Sequence, residues 1–169
     1  HDVSFVEVQG GGSIYMENVE ILSAGAYAVT VSDPKSATFD SCRFNSTTTS
    51  RDPIVRVRVE STTSNNTVVF YKNKFIATSD NISYLSLEIN GKNHATTFSH
   101  NEFEGGSMGS NIVVSSGSMR FTENKFLKVG TPLTLIIYEM VLTSVEGNRF
   151  RECLNSVSIE KKNVGRLFI

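Results

Sequence analysis

Cysteine, histidine and proline are scarce in this chain of 169 residues, with two, three and three copies, and tryptophan is missing. Two cysteines cannot build a disulfide framework. No Cys-x-x-Cys or His-x-x-x-His spacing occurs, which argues against zinc, and no EF-hand or calcium nonapeptide is present. No metal and no cofactor is therefore expected. No apolar run approaches the roughly 20 residues that a bilayer span needs, so no direct membrane span is expected in this segment. The formal net charge of −1 supplies no overall field for nucleic acid or an anionic membrane. No window keeps the i, i+3, i+4, i+7 spacing of an amphipathic helix.

What the chain does have is a phrase that returns. It reads Phe70-Tyr71-Lys72-Asn73-Lys74-Phe75, then Phe98-Ser99-His100-Asn101-Glu102-Phe103, then Phe121-Thr122-Glu123-Asn124-Lys125-Phe126. Weaker copies are Phe39-Asp40-Ser41-Cys42-Arg43-Phe44 and Val145-Glu146-Gly147-Asn148-Arg149-Phe150. A degenerate one opens at Tyr15-Met16-Glu17-Asn18, with Ile21 one residue late. Self-similarity at roughly 23–31 residues is the mark of a solenoid. Residues five apart in one strand face opposite ways, so both phenylalanines reach one core only if the chain bends between them. The expected bend is at the asparagine, which tolerates the left-handed region. About twelve residues after each phrase comes a second apolar run, such as Val55 to Val59 or Leu133 to Ile137, several with period two.

These features predict an all-β chain, a single domain over residues 1–169. The pattern resembles the right-handed parallel β-helix of the pectin-lyase-like superfamily. That resemblance implies about six turns stacked at roughly 4.8 Å, a rod on the order of 29 Å long. It also implies an asparagine ladder of Asn73, Asn101, Asn124 and Asn148, and two phenylalanine stacks. One stack holds Phe39, Phe70, Phe98 and Phe121; the other holds Phe44, Phe75, Phe103, Phe126 and Phe150. A β-sandwich is the alternative, but sandwiches lack such repeats. In the stacked arrangement Cys42 and Cys153 lie about four turns, or on the order of 19 Å, apart. They are expected not to pair, since a disulfide needs Cα atoms within roughly 7 Å. The uncapped ends suggest a segment of a longer solenoid, with neighbouring turns of the same parent chain as partners.

Candidate binding residues are few. Arg56 and Arg58 alternate with Val55, Val57 and Val59 and share an outward face; two stacked guanidinium groups could clamp a carboxylate or sulfate. The alternative is that they are solvated charges. Glu60, Glu88, Glu139 and Glu160 each fall near the end of a turn's second strand and would line one edge; paired carboxylates about 5–9 Å apart can hydrolyse glycosides. No aspartate cluster accompanies them, so no catalytic residue is assigned. Tyr84 and Tyr138, with Tyr27 and Tyr71, could stack on sugars or fill the core. Asn45, Asn65 and Asn81 match the glycosylation pattern and are expected in loops, although about three matches arise by chance. Glu102 is expected between Lys74 and Lys125 on neighbouring turns.

The Phe-x-x-Asn phrase is similar to the motif of chlamydial polymorphic outer-membrane proteins. Gly147-Asn148-Arg149-Phe150-Arg151-Glu152-Cys153 is similar to repeats in the dispersed-gene-family surface proteins of trypanosomes. Both resemblances imply a surface-located β-helix that presents loops. The expectation is an extracellular or cell-surface adhesion or glycan-binding scaffold without catalysis, its partner an extracellular glycan or a host or matrix protein. A carbohydrate-active enzyme of lyase, glycosidase or tailspike type and a structural spacer are the alternatives.

Overall fold

The computed structural model describes residues 6–23, 27–46, 53–60, 65–78, 83–89, 94–106, 110–114, 117–130, 133–137, 142–154, 158–161 and 167–168. Every described element is a strand. In chain order the strands are β1 (Val6–Gln9), β2 (Ser13–Glu17), β3 (Glu20–Ser23), β4 (Val29–Ser32), β5 (Ser36–Asp40), β6 (Arg43–Ser46) and β7 (Pro53–Val59). They continue with β8 (Thr67–Tyr71), β9 (Lys74–Ala77), β10 (Ser83–Ile89), β11 (Ala95–Ser99), β12 (Glu102–Gly105), β13 (Ser110–Val114) and β14 (Ser118–Thr122). The last are β15 (Lys125–Leu127), β16 (Leu133–Ile137), β17 (Leu142–Glu146), β18 (Arg149–Arg151), β19 (Ser158–Lys161) and β20 (Leu167–Phe168).

Each strand pairs in parallel with the strand three places on, so the chain coils into a parallel β-solenoid of three sheets. The first sheet runs β1-β4-β7-β10-β13-β16-β19, the second β2-β5-β8-β11-β14-β17-β20, and the third β3-β6-β9-β12-β15-β18. Alternation fixes which side faces in. In β5, β8 and β11 the second and fourth residues are buried: Ala37 and Phe39, Val68 and Phe70, Thr96 and Phe98.

The bend lies one residue earlier than the sequence suggested. Ser41, Lys72, His100 and Glu123 hold φ of 53°, 54°, 60° and 55°, and Gly147 sits at 64°. The ladder residue that follows is not among those with positive φ. The left-handed residue makes the corner between the second and third sheets and points outward. The asparagine after it turns inward, where its amide can serve the neighbouring coil. The first coil is corrected in the same way. Met16, not Tyr15, pairs with Phe39, and Ile21 pairs with Phe44, so Ile21 is in step. Asn18 (φ 54°) takes the corner, and Tyr15 is exposed.

Two aromatic columns fill the core. Ring centroids are 4.7 Å apart for Phe39–Phe70, 4.8 Å for Phe70–Phe98 and 5.7 Å for Phe98–Phe121. In the other column they are 5.0 Å for Phe44–Phe75, 4.9 Å for Phe75–Phe103, 4.6 Å for Phe103–Phe126 and 4.9 Å for Phe126–Phe150. Stacked rings add about 0.5–1.5 kcal/mol per pair beyond area burial.

Beside the rings runs a chain of amides. Asn73 N donates to Asn101 Oδ1 at 2.9 Å, Asn101 N to Asn124 Oδ1 at 3.0 Å, and Asn124 N to Asn148 Oδ1 at 2.9 Å. Each Nδ2 also donates to the next Oδ1 at 2.9–3.0 Å, as far as Asn148. The other Nδ2 proton goes back to the Phe39, Phe70, Phe98 or Phe121 carbonyl. Only a primary amide offers one acceptor oxygen and two donor protons in that volume. Cys42 ends the run: its N donates to Asn73 Oδ1 at 2.9 Å. Burial pushes the Cys42 thiol pKa up, against backbone hydrogen bonds that lower it, and keeps the sulfur neutral and unreactive. Both cysteines are free, Cys42 buried and Cys153 half-buried.

Candidate functional site

The outer surface of the second sheet carries two columns that are polar except at Val69. One is Tyr15, Thr38, Val69, Thr97, Arg120 and Ser144; the other is Glu17, Asp40, Tyr71, Ser99, Thr122 and Glu146. They follow from the strand period: each residue occupies an odd position of a five-residue strand, and the even positions take the opposite face. Neighbouring strands repeat at about 4.7–4.9 Å, so hydroxyls and charges recur at that spacing along the axis.

The columns deepen into a strip of clefts toward β17. A cleft of about 400 Å³ is lined by Arg120, Thr122, Glu123, Ser144, Glu146 and Gly147. A second, of about 370 Å³, is lined by His100, Glu123, Lys125, Gly147 and Arg149. They meet at Glu123 and Gly147. Gly147 stands where the preceding coils carry Lys72, His100 and Glu123, and the missing side chain opens the groove at that corner. A third cleft, of about 250 Å³, extends the strip through Thr97, Ser118, Arg120 and Ser144.

Within the strip the polar groups are wired together. Ser99 Oγ and His100 Nδ1 are 2.7 Å apart, and His100 Nε2 lies 2.5 Å from Glu123 Oε2. The Thr122 hydroxyl donates to Ser99 Oγ at 3.2 Å, and the Ser144 hydroxyl to Glu146 Oε1 at 2.7 Å. Tyr71 meets the His100 ring edge-on at 5.5 Å, and the Lys72 ammonium lies 4.9 Å over the Tyr71 ring. The surface alternates donors (Arg120, Lys125, Arg149) with acceptors (Glu123, Glu146) and hydroxyls. Such a surface suits a ligand whose every hydroxyl both donates and accepts. Among the described residues no group of three His, Cys, Asp or Glu side chains could hold a metal ion.

Apart from Tyr71, none of the described candidate binding residues singled out from the sequence is in this strip. Arg56 and Arg58 do share the outer face of β7, but not as a free clamp. Arg56 lies 5.6 Å over the Tyr27 ring and reaches its hydroxyl at 3.4 Å, while Arg58 pairs with Glu60 at 2.7 Å. The acidic edge column is broken. Glu88 and Glu160 share a register level with Val113 and Ile136 between them, and Glu60 follows β7 two places beyond the residue that pairs with Glu88. Tyr84 is in β10; Tyr138, Glu139 and Asn81 lie outside the described residues. Asn45 is not in a loop but within β6, where its Nδ2 donates to Glu20 Oε1 at 3.0 Å. The reason is register: Asn45 is the outward third residue of a strand whose Phe44 and Ser46 face in. Asn65 is exposed ahead of β8. Glu102 does sit in register between Lys74 and Lys125, but it bonds Lys125 at 3.0 Å, whereas Lys74 takes Glu104 at 3.1 Å.

Ser99, His100, Thr122 and Glu123 were missed as a group. Aligning Phe98-Ser99-His100-Asn101 over Phe121-Thr122-Glu123-Asn124 puts His100 against Glu123, so the repeat itself held the signal. Compared with known protein families, with curated proteins and with solved structures, the chain finds no match.

Proposed function

We propose that this β-solenoid is a carbohydrate-binding scaffold that takes a linear glycan along the outer face of its second sheet. The observation that carries the reading is the polar strip from Thr97 and Arg120 through Glu123 to Arg149. A glycan repeats hydroxyl groups along one axis, and the sheet repeats hydroxyls and charges along its own. Tyr71 supplies a half-buried ring on which a sugar face can stack. The likeness of the Phe-x-x-Asn phrase to pectin-lyase-like folds and to microbial surface proteins supports an extracellular or cell-surface setting and a host or matrix glycan as ligand.

The test is a glycan array followed by titration calorimetry. Wild-type protein is expected to bind one class of extended glycan. Arg120→Ala and Glu146→Gln should each weaken binding roughly 10-fold or more, as loss of a charge-assisted hydrogen bond of about 1.5–3 kcal/mol implies. Binding to no glycan, or binding that both variants leave intact, overturns this placement and leaves the spacer reading.

A further inference from the structure

The geometry points to a nucleophilic hydroxyl at Ser99, armed by a hydrogen-bond chain from Thr122 through Ser99 and His100 to Glu123, that accepts an acyl group from an ester. The directions follow from what each group can do. A carboxylate only accepts, so the proton between Glu123 and His100 sits on Nε2. In the neutral ring Nδ1 is then the bare nitrogen, and it faces Ser99 Oγ at 2.7 Å. Thr122 donates to Ser99 Oγ at 3.2 Å, which directs the serine's own proton toward Nδ1. Nucleophile meets base, and base meets an orienting acid, on three different residues. Which ring nitrogen faces the serine does not alter the chemistry, provided the other nitrogen's proton is held.

The imidazole is also held in place. His100 N donates to the Thr122 carbonyl at 3.1 Å, the backbone is fixed at φ 60°, and the Tyr71 ring abuts the imidazole. The side chains remain reachable: His100 is 44% exposed and Glu123 60%.

In the first step Ser99 Oγ attacks the ester carbonyl, forming an Oγ–C bond while its proton passes to His100 Nδ1. The C–O bond to the alcohol then breaks, its electron pair stays on the leaving oxygen, and that oxygen takes the proton from Nδ1. In the second step water attacks the acyl carbon and gives its proton to Nδ1. The Oγ–C bond breaks, Ser99 recovers the proton, and a carboxylic acid departs. Glu123 holds the Nε2 proton throughout and acts as a positioning residue. The His100 backbone amide is already bonded to the Thr122 carbonyl, so this donor does not meet charge on the carbonyl oxygen. Losing an oxyanion donor costs on the order of 10²–10³ in rate, so the substrate class is activated esters rather than amides.

This inference stands apart from carbohydrate binding, since a small ester needs only access to Ser99. Whole protein is treated with a fluorophosphonate probe and mapped by mass spectrometry, and p-nitrophenyl acetate turnover is followed in parallel. Wild-type protein is expected to carry the phosphonate on Ser99. Ser99→Ala should lose the label, and His100→Ala should slow labelling on the order of 100-fold. For Glu123→Gln, imidazole ¹⁵N signals should move from the single Nε2–H tautomer to a mixture, alongside slower turnover. No phosphonate on Ser99 of the folded wild-type protein, or Ser99→Ala hydrolysing the ester at the wild-type rate, overturns the proposal.

Discussion

At the scale of single residues, the ladder shows why one amide cannot be exchanged for anything smaller. Asn101 is fully buried and takes part in hydrogen bonds through its N, Nδ2 and Oδ1 atoms, with Asn73, Asn124 and the Phe70 carbonyl. Truncation leaves Asn73 N and the Phe70 carbonyl without these partners in a water-excluded place, and each such group costs about 1–3 kcal/mol. Asn101→Ala is therefore expected to lower stability by roughly 2–5 kcal/mol. Asn65→Ala, at an exposed position, should stay within about 0.5 kcal/mol. Equal shifts of the two midpoints in urea melts would contradict the ladder's role. The surface ion pairs are a different matter. Lys125–Glu102 and Lys74–Glu104 are each more than a third exposed, and pairs of that kind contribute about 0–1 kcal/mol.

At the scale of the element, the corner between the second and third sheets separates what the sequence says from what it leaves ambiguous. Phe-x-x-Asn-x-Phe announces two core rings and one inward polar group, and those are local facts that repetition makes plain. It does not say which of the two residues between the strands absorbs the left-handed turn, because Lys72 and Asn73 can both be written into the corner. Only the ladder decides: an asparagine bonded on both sides must point inward, and the turn falls to its neighbour. The same limit explains Asn45, whose strand position depends on where the corner ends. It also explains the acidic column, whose register depends on loop lengths that differ between coils. The pairing of His100 with Glu123, by contrast, is legible in the repeat, since the two are 23 residues apart like their ladder neighbours Asn101 and Asn124. The corner itself can be tested. Lys72→Gly relieves a left-handed cost of about 1–2 kcal/mol and adds unfolded-chain entropy of about 0.5–1 kcal/mol, so stability should hold or rise slightly. Asn73→Gly should fall by several kcal/mol, since it removes a ladder amide. Thermal melts showing Lys72→Gly to be the more damaging change would put the bend back at the asparagine.

At the scale of the whole molecule, each coil touches mainly the coils before and after it, so stability is close to a sum of neighbour terms. A defect then costs more where it has two neighbours. Phe98 is fully buried between Phe70 at 4.8 Å and Phe121 at 5.7 Å. Phe150 stacks on Phe126 at 4.9 Å and is 41% exposed. Phe98→Ala should cost about 3–5 kcal/mol, the range for emptying a core aromatic site. Phe150→Ala removes a single stacking partner from a site that solvent already reaches and should cost less than half as much. The two variants should also differ in kind. A break at Phe98 interrupts the column midway, so hydrogen exchange should speed up in β8, β11 and β14 together. A break at Phe150 should leave those strands protected and loosen only β15 and β18. Uniform loss of protection along the axis in both variants would mean that the coils fold as one indivisible unit and that nearest-neighbour stacking does not set the stability of this rod.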